Sequence, residues 1–507
     1  MKDPSIEKDD FHSCFQKISC FHPLKLGQMC LNLRYRLRLI SLNNQGQSSL
    51  QMVIPLVILF FILSAFTILL PRLTPLQTIG LGVGTAIFVI SFVSTDFALY
   101  ILIFSMLLSP EFIIGTTQGA SLGRGVTLRI DDIILLIIGF SWLAKMSINK
   151  DLGLFLRTPL NKPIAYYIIV CMISTLFGAI TGKVHLKTGL LFVLKYFEYM
   201  IIYFMVVNHI KDKRQINHFL WAMLITCVIV SVIAIVQIPG GGRVTAPFEG
   251  ASGEPNTLGG YLVFMVSIVI GLFLTTPSFR NQLIYGFLIF LFLVPLLYTQ
   301  SRSAYLAVIP AILAFLWLSE KRNWVLAGLI LIGISLPLTA PKPAKDRMTY
   351  TFTQGKNRPD VVEIRGVKLD TSTTARVNSW KDASKDWINH PILGHGVTGY
   401  RFVDAQYIRV ITETGFLGLF TFFYLMVTIF RRTYNIFQAS LGPFERGLSM
   451  GFLAAFIGLL FHAIGANTFI IVRIMEPFWF MTAMVMMILD LEADGSEVHG
   501  KYHVDSM

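Results

Sequence analysis

The sequence predicts an all-α fold: a polytopic transmembrane helical bundle of about 12–14 spans, with one large polar loop that contains short helices. Three observations predict it. Hydrophobic residues make up 54% of the 507, and the mean hydropathy is +0.64. Charged residues account for only 14%, well below the roughly 25% of a soluble domain. Apolar runs of spanning length recur from residue 52 to residue 489. A core formed in water has no use for that much apolar surface, 41 Phe included. A lipid-embedded bundle needs it.

The first 50 residues are polar and mildly basic, with Arg34, Arg36 and Arg38 ahead of the first apolar run near Met52. That run starts too late and is too long for a cleaved signal peptide. Residues 1–50 therefore read as a cytoplasmic tail. Residues 51–340 form the first part of the bundle, with runs at 52–70, 77–93, 96–109, 130–147, 163–181, 188–208, 218–238, 256–275, 283–299, 303–319 and 325–340. The run at 96–109 is short, and with 77–93 it suits a hairpin that need not fully cross. Residues 341–406 are a polar loop. Residues 407–490 supply the last runs, at 407–430, 447–466 and 472–489, and 491–507 is a second tail.

The net charge is +13. In a soluble chain that would point to nucleic acid, but here the basic residues lie between apolar runs. With the N-terminus inside, the short cytoplasmic loops carry thirteen Lys and Arg, from Lys145 to Arg446, against eight on the other side. This is the positive-inside bias, and it places both termini in the cytoplasm and 341–406 on the opposite face. Of the five cysteines, three lie in the N-terminal tail and two within spans, which is neither a disulfide framework nor a zinc pattern. No internal repeat is visible, which argues against a transporter built from two related halves.

Within the long loop, Thr374 is the expected N-cap of a helix over 375–388. Trp380, Ala383 and Trp387 then share one face. His390–Pro391 ends the helix, and Gly394, Gly396 and Gly399 form a turn before the next span. An amphipathic helix with two Trp beside a membrane lies at the interface or caps the bundle.

Three polar clusters fall on the non-cytoplasmic side. One runs from Gly240-Gly241-Gly242-Arg243 to Glu254-Pro255-Asn256. A second is Thr299-Gln300-Ser301-Arg302-Ser303. The third contains Arg376, Asp404 and Glu413. Arg302 sits between two apolar runs with almost no loop around it, where a charge is costly. It either snorkels to the interface or clamps phosphate, since guanidinium offers planar paired donors to diphosphate oxygens. Arg243 and Arg376 join it in the second reading and are solvated cations in the first. Asp404 stands where the loop re-enters the membrane, as a general base for a hydroxyl, as an N-cap, or as both. Glu413 reads as internally paired, and Lys195 and Glu198, three apart within a span, read as an ion pair. Arg243, Glu254, Asn256 and Tyr407 are candidates to contact substrate. No residues at metal-ligand spacing stand out, and His390 and His395 read as loop residues.

The segments PFEGASGEPNTLGGYL, YTQSRSAYLAV, HPILGHGVTGY and DAQYIRVITETGFLGLF, in this order, resemble the O-antigen ligase and O-antigen polymerase superfamily of bacterial envelope glycan enzymes. The resemblance covers roughly residues 240–430. It implies a metal-independent, cofactor-free membrane glycosyltransferase of the inner membrane. The donor would be an undecaprenyl-diphosphate-linked glycan, the acceptor a glycan or lipid, and a chain-length regulator a further partner. It also implies a periplasmic active site. The family's diphosphate-holding arginines fall on Arg302 and Arg376. Where its ligase branch usually has His, this chain has Asp404, which favours a polymerase or exopolysaccharide role over ligation. The competing classes are a transporter or flippase of lipid-linked oligosaccharide and a non-catalytic scaffold.

Overall fold

The computed structural model describes residues 75–116, 125–148, 158–249, 253–339, 345, 363–364, 367–368 and 371–491. The run at 52–70 and both tails lie outside the described residues. Every other apolar run is a helix. In chain order these are α1 (Pro75–Val93), α2 (Thr95–Leu108), α3 (Ile130–Ile148), α4 (Asn161–Ile180), α5 (Leu186–Val207), α6 (Lys213–Gln237), α7 (Pro255–Thr275), α8 (Phe279–Tyr298), α9 (Arg302–Leu318) and α10 (Arg322–Thr339). They continue with α11 (Thr371–Trp387), α12 (Gln406–Ala439), α13 (Pro443–Gly465) and α14 (Val472–Met486). Eight of the described helices are long and apolar enough to cross a membrane. The chain is a polytopic helical membrane protein.

Two features depart from the sequence reading. Between α2 and α3, β1 (Glu111–Thr116) and β2 (Gly125–Arg129) pair antiparallel, and β3 (Glu363–Ile364) pairs with β4 (Val367–Lys368) ahead of α11. The loop helix α11 begins at Thr371, so Thr374 lies inside it and is not its N-cap. Ala383 of α11 is buried against Val403 and Ala405, with Trp380 packed beside them. Its apolar face thus covers the start of α12.

Residues from Gly84 onward form one compact unit. Its centre is α7, α13 and α14, nearly buried throughout, whereas α8 and α4 are mostly exposed along their spans. Small residues permit the central crossing. A Cβ on Gly271 would stand 2.4 Å from the Gly447 carbonyl and 2.6 Å from Gly451. In lipid, where apolar side chains gain little by leaving the solvent, such close backbone approach supplies much of the helix–helix attraction.

α12 is broken. Gly415 has φ 67° and ψ −166°, so the helix stops and restarts on either side of it. The loop after α11 enters the gap. His395 and Gly396 donate backbone N–H bonds to the Thr412 and Glu413 carbonyls, and Phe416 and Leu417 donate to the Pro391 and Ile392 carbonyls. Broken backbone at membrane depth persists only where protein satisfies its polar groups, and residues 391–396 do so here.

Candidate functional site

The site is built where α7, α9 and α12 begin. α8 and α9 are joined by only Thr299-Gln300-Ser301. Gln300 takes a left-handed φ of 50°, uncommon for a residue with a Cβ and a usual mark of functional turns. This tight turn aims two carbonyls at Arg243, whose Nε donates to Thr299 O at 3.0 Å and Nη2 to Gln300 O at 3.3 Å. Ser301 caps α9, its Oγ accepting from Ala304 N, and donates to Asn256 Oδ1 at 2.7 Å. Arg243 and Asn256 therefore bracket the turn that presents Arg302.

Arg302 reaches outward from the first residue of α9, and its Nη1 donates to Thr373 Oγ1 at 3.2 Å. Thr373 and Arg376 are three apart on α11, hence on one face. Arg376 Nη2 in turn lies 3.0 Å from Asp404 Oδ2, each side chain about a quarter exposed. The N-cap position of α12 belongs to Ala405, which makes no side-chain cap bond, and Asp404 turns to Arg376. The backbone around Asp404 is pinned from below. Asn467 Nδ2 donates to Val403 O at 2.9 Å, and Gln406 Oε1 accepts from Phe469 N at 3.0 Å. Helix N-termini carry partial positive charge, so three of them at one mouth with three guanidinium groups form a place for an anion.

Arg243, Asn256, Arg302, Arg376 and Asp404 are thus joined through one chain of contacts. Tyr407 is not part of it: its hydroxyl donates to Leu460 O at 2.6 Å and its ring stacks on Phe423, inside the bundle. Glu254 occupies the N-cap position of α7, its N–H donating to Glu249 Oε2 at 2.8 Å. Glu413 pairs with Arg409 at 3.0 Å and lies deep, as expected.

A second charged group was not foreseen as a whole. Arg473, 1% exposed, donates to the carbonyls of Leu107, Ser109, Pro247 and Phe248 and contacts Glu111 at 3.2 Å. It ties the loop before α7 to the end of α2. Burial pushes the Glu249 carboxyl in that loop up to about 7 against the opposing pull of Arg473. Arg129 meets Asp131, Lys195 meets Asp132, and Lys195 also lies 3.2 Å from Glu198. Asp131, Asp132 and Glu476 each bring a carboxylate oxygen within 4.8 Å of the others, a spacing a metal ion could use. Asp131 and Asp132 already face cations of the chain itself. The available signal was the acidic and basic residues inside apolar runs, Asp131, Asp132, Arg473 and Glu476 among them. Which of them meet depends on helices far apart in sequence.

Residues 287–423 match the O-antigen ligase family model. No curated protein matches the chain. The matched segment runs from α8 into the second half of α12, so it holds Arg302, Arg376, Asp404 and the break at Gly415. In this segment the chain is similar to the O-antigen ligase family.

Proposed function

We propose that the chain is a membrane glycosyltransferase that polymerises or transfers an undecaprenyl-diphosphate-linked glycan on the periplasmic face of the bacterial inner membrane, with both termini in the cytoplasm. The observation that carries this reading is the single helix α11 that Arg302 and Arg376 share, with Asp404 beside Arg376. The donor lipid enters between helices, and its diphosphate settles on Arg302 and Arg376 with the helix N-termini behind them. Arg243 holds the turn that aims Arg302. When the diphosphate draws Arg376 away, Asp404 is left to accept the acceptor hydroxyl's proton. The hydroxyl oxygen attacks the anomeric carbon as the bond from that carbon to the diphosphate oxygen breaks, and the diphosphate departs with the electron pair. A single displacement of this kind inverts the anomeric centre. Glu254 and Asn256, at the start of α7, line the approach of the sugar.

The experiment is reconstitution in vesicles with undecaprenyl-diphosphate-linked repeat units. Polymer or transferred glycan should form without any ion gradient, and Asp404→Asn should reduce the rate by about 10²–10⁴-fold while the protein inserts normally. Wild-type product from Asp404→Asn removes the base assignment. The buried charges on α3, α5 and α14 favour one second reading, a transporter of lipid-linked oligosaccharide. Gradient-dependent movement across the bilayer with no new glycosidic bond would establish that reading instead.

A further inference from the structure

The end of the bundle away from the arginine group carries a polar feature that glycosyl transfer does not use. α6 begins at Lys213 and α8 at Phe279, and a cavity of about 470 Å³ lies between these starts. Among the described residues that line it, the charged ones are Lys213 and Arg214. Asn217 and Asn281 add amide groups. Trp221 and Tyr285 form an aromatic wall, their rings stacked at 6.3 Å and 21°. Lys213 Nζ is held 2.8 Å from Glu445, which fixes an ammonium that carries three donors. α8 starts at this cavity without a side-chain cap, so its dipole adds to the positive potential of Arg214, while Glu445 in the first turn of α13 offsets that helix and Lys213.

The surroundings select the source of the anion. Phe279, Leu283 and Phe287 of α8, each more than half exposed, run from the cavity along the outer face of a membrane span. A soluble anion makes no use of such a stripe, whereas a molecule with a phosphate at one end and a hydrocarbon chain at the other matches both parts. Cationic pockets between spans combined with apolar walls are the chemistry that retains acidic lipids. A second cavity of about 230 Å³ shares Thr275 and Pro443 with the first and adds Lys321 and Arg446 against Glu320, which extends the cationic character around the rim.

We infer that this cavity binds the headgroup phosphate of an anionic phospholipid, with an acyl chain laid along Leu283 and Phe287. The site is independent of the catalytic reading, because none of its residues belongs to the arginine group.

The test uses the purified full-length protein in native mass spectrometry after exchange into detergent containing phosphatidylglycerol, phosphatidylcholine or inorganic phosphate. The expected result is one retained phosphatidylglycerol, favoured over phosphatidylcholine by at least about tenfold. The Lys213→Gln/Arg214→Gln variant should lose that preference, and Arg214→Lys should keep it. The capping box between Asp212 and Gln215 that starts α6 is untouched in both, so helicity and elution should match the wild type. If the double variant misfolds, Arg214→Gln alone, at an exposed position, decides the matter by the same readout. Equal retention of both lipids, or undiminished phosphatidylglycerol binding in the glutamine variants, overturns the proposal. Binding of inorganic phosphate with no retained phosphatidylglycerol also overturns it, since the ligand is then a soluble anion.

Discussion

Two groups of charges sit in this bundle, and they differ in what surrounds them. Around Arg129, Lys195 and Arg473 gather Glu111, Asp131, Asp132, Glu198, Glu249 and Glu476, nearly all enclosed by helices. At the mouth, Arg302 donates to Thr373 and Arg376 pairs with Asp404, and Arg376 and Asp404 are partly open to solvent. In the enclosed group every cation answers to several acceptors, so removing one leaves buried oxygens with nothing to replace it. At the mouth a partner can be exchanged for a ligand at small cost. Enclosed charges hold the architecture, and half-open ones are available for chemistry.

Four variants or conditions break or sharpen this contrast. Arg473→Met strips donors from four carbonyls and two carboxylates and should destabilise the protein by about 3–5 kcal/mol, read as lowered thermal stability in detergent. A stable Arg473→Met protein would mean the enclosed group is not structural. Arg302→Ala should do the reverse, with unchanged thermal unfolding and a transfer rate lower by about 10²–10³-fold, measured in the vesicle assay.

The third concerns pH. Glu249 rises from an ordinary 4.5 to about 7 through burial, so the closed loop holds the proton more tightly than the opened loop does. Its contribution to closure is complete below 4.5 and is lost as pH rises through 7, a change of at most roughly 3 kcal/mol. Hydrogen exchange in residues 243–249, corrected for intrinsic rates, should be faster at pH 8 than at pH 6. Glu249→Gln should flatten the difference. The smallest effect belongs to Glu476→Gln. Glu476 is fully buried, and neither carboxylate oxygen has a hydrogen-bond partner among the described residues. The enclosed group has more carboxylates than cations, so a neutral amide of the same shape at this position should shift stability by less than about 1 kcal/mol in either direction. A loss as large as that of Arg473→Met would show that the two residues of α14 act as one unit.

The helices were legible because hydrocarbon imposes a length and a composition that few other settings require. The runs from 77–93 to 472–489 all became helices. Their ends were less legible: α12 continues to Ala439 and breaks at Gly415, and nothing in a single apolar run announces a loop inserted from another segment. Arg302 was legible as a charge stranded between spans. Its contact with Thr373 was not, because that meeting crosses the whole polar loop. Asp404 was read as a base, an N-cap, or both. The Arg376 pairing removes the cap, and only the placement of α11 decides it. Tyr407 turns into the bundle toward Leu460 and Phe423, because Asp404 precedes α12 and helical spacing does not place it on the same face as Tyr407.

The inserted loop at Gly415 has a consequence for how this protein tolerates changes in chain length. A Cβ there would stand 2.2 Å from the Ile392 carbonyl, so the two strands of backbone are interlocked as a key is in its ward. Single-residue deletions between Pro391 and Gly415 should throw Asp404 out of alignment with α11. The length of chain between these two points is therefore as constrained as that of a helix, although it is read as a loop.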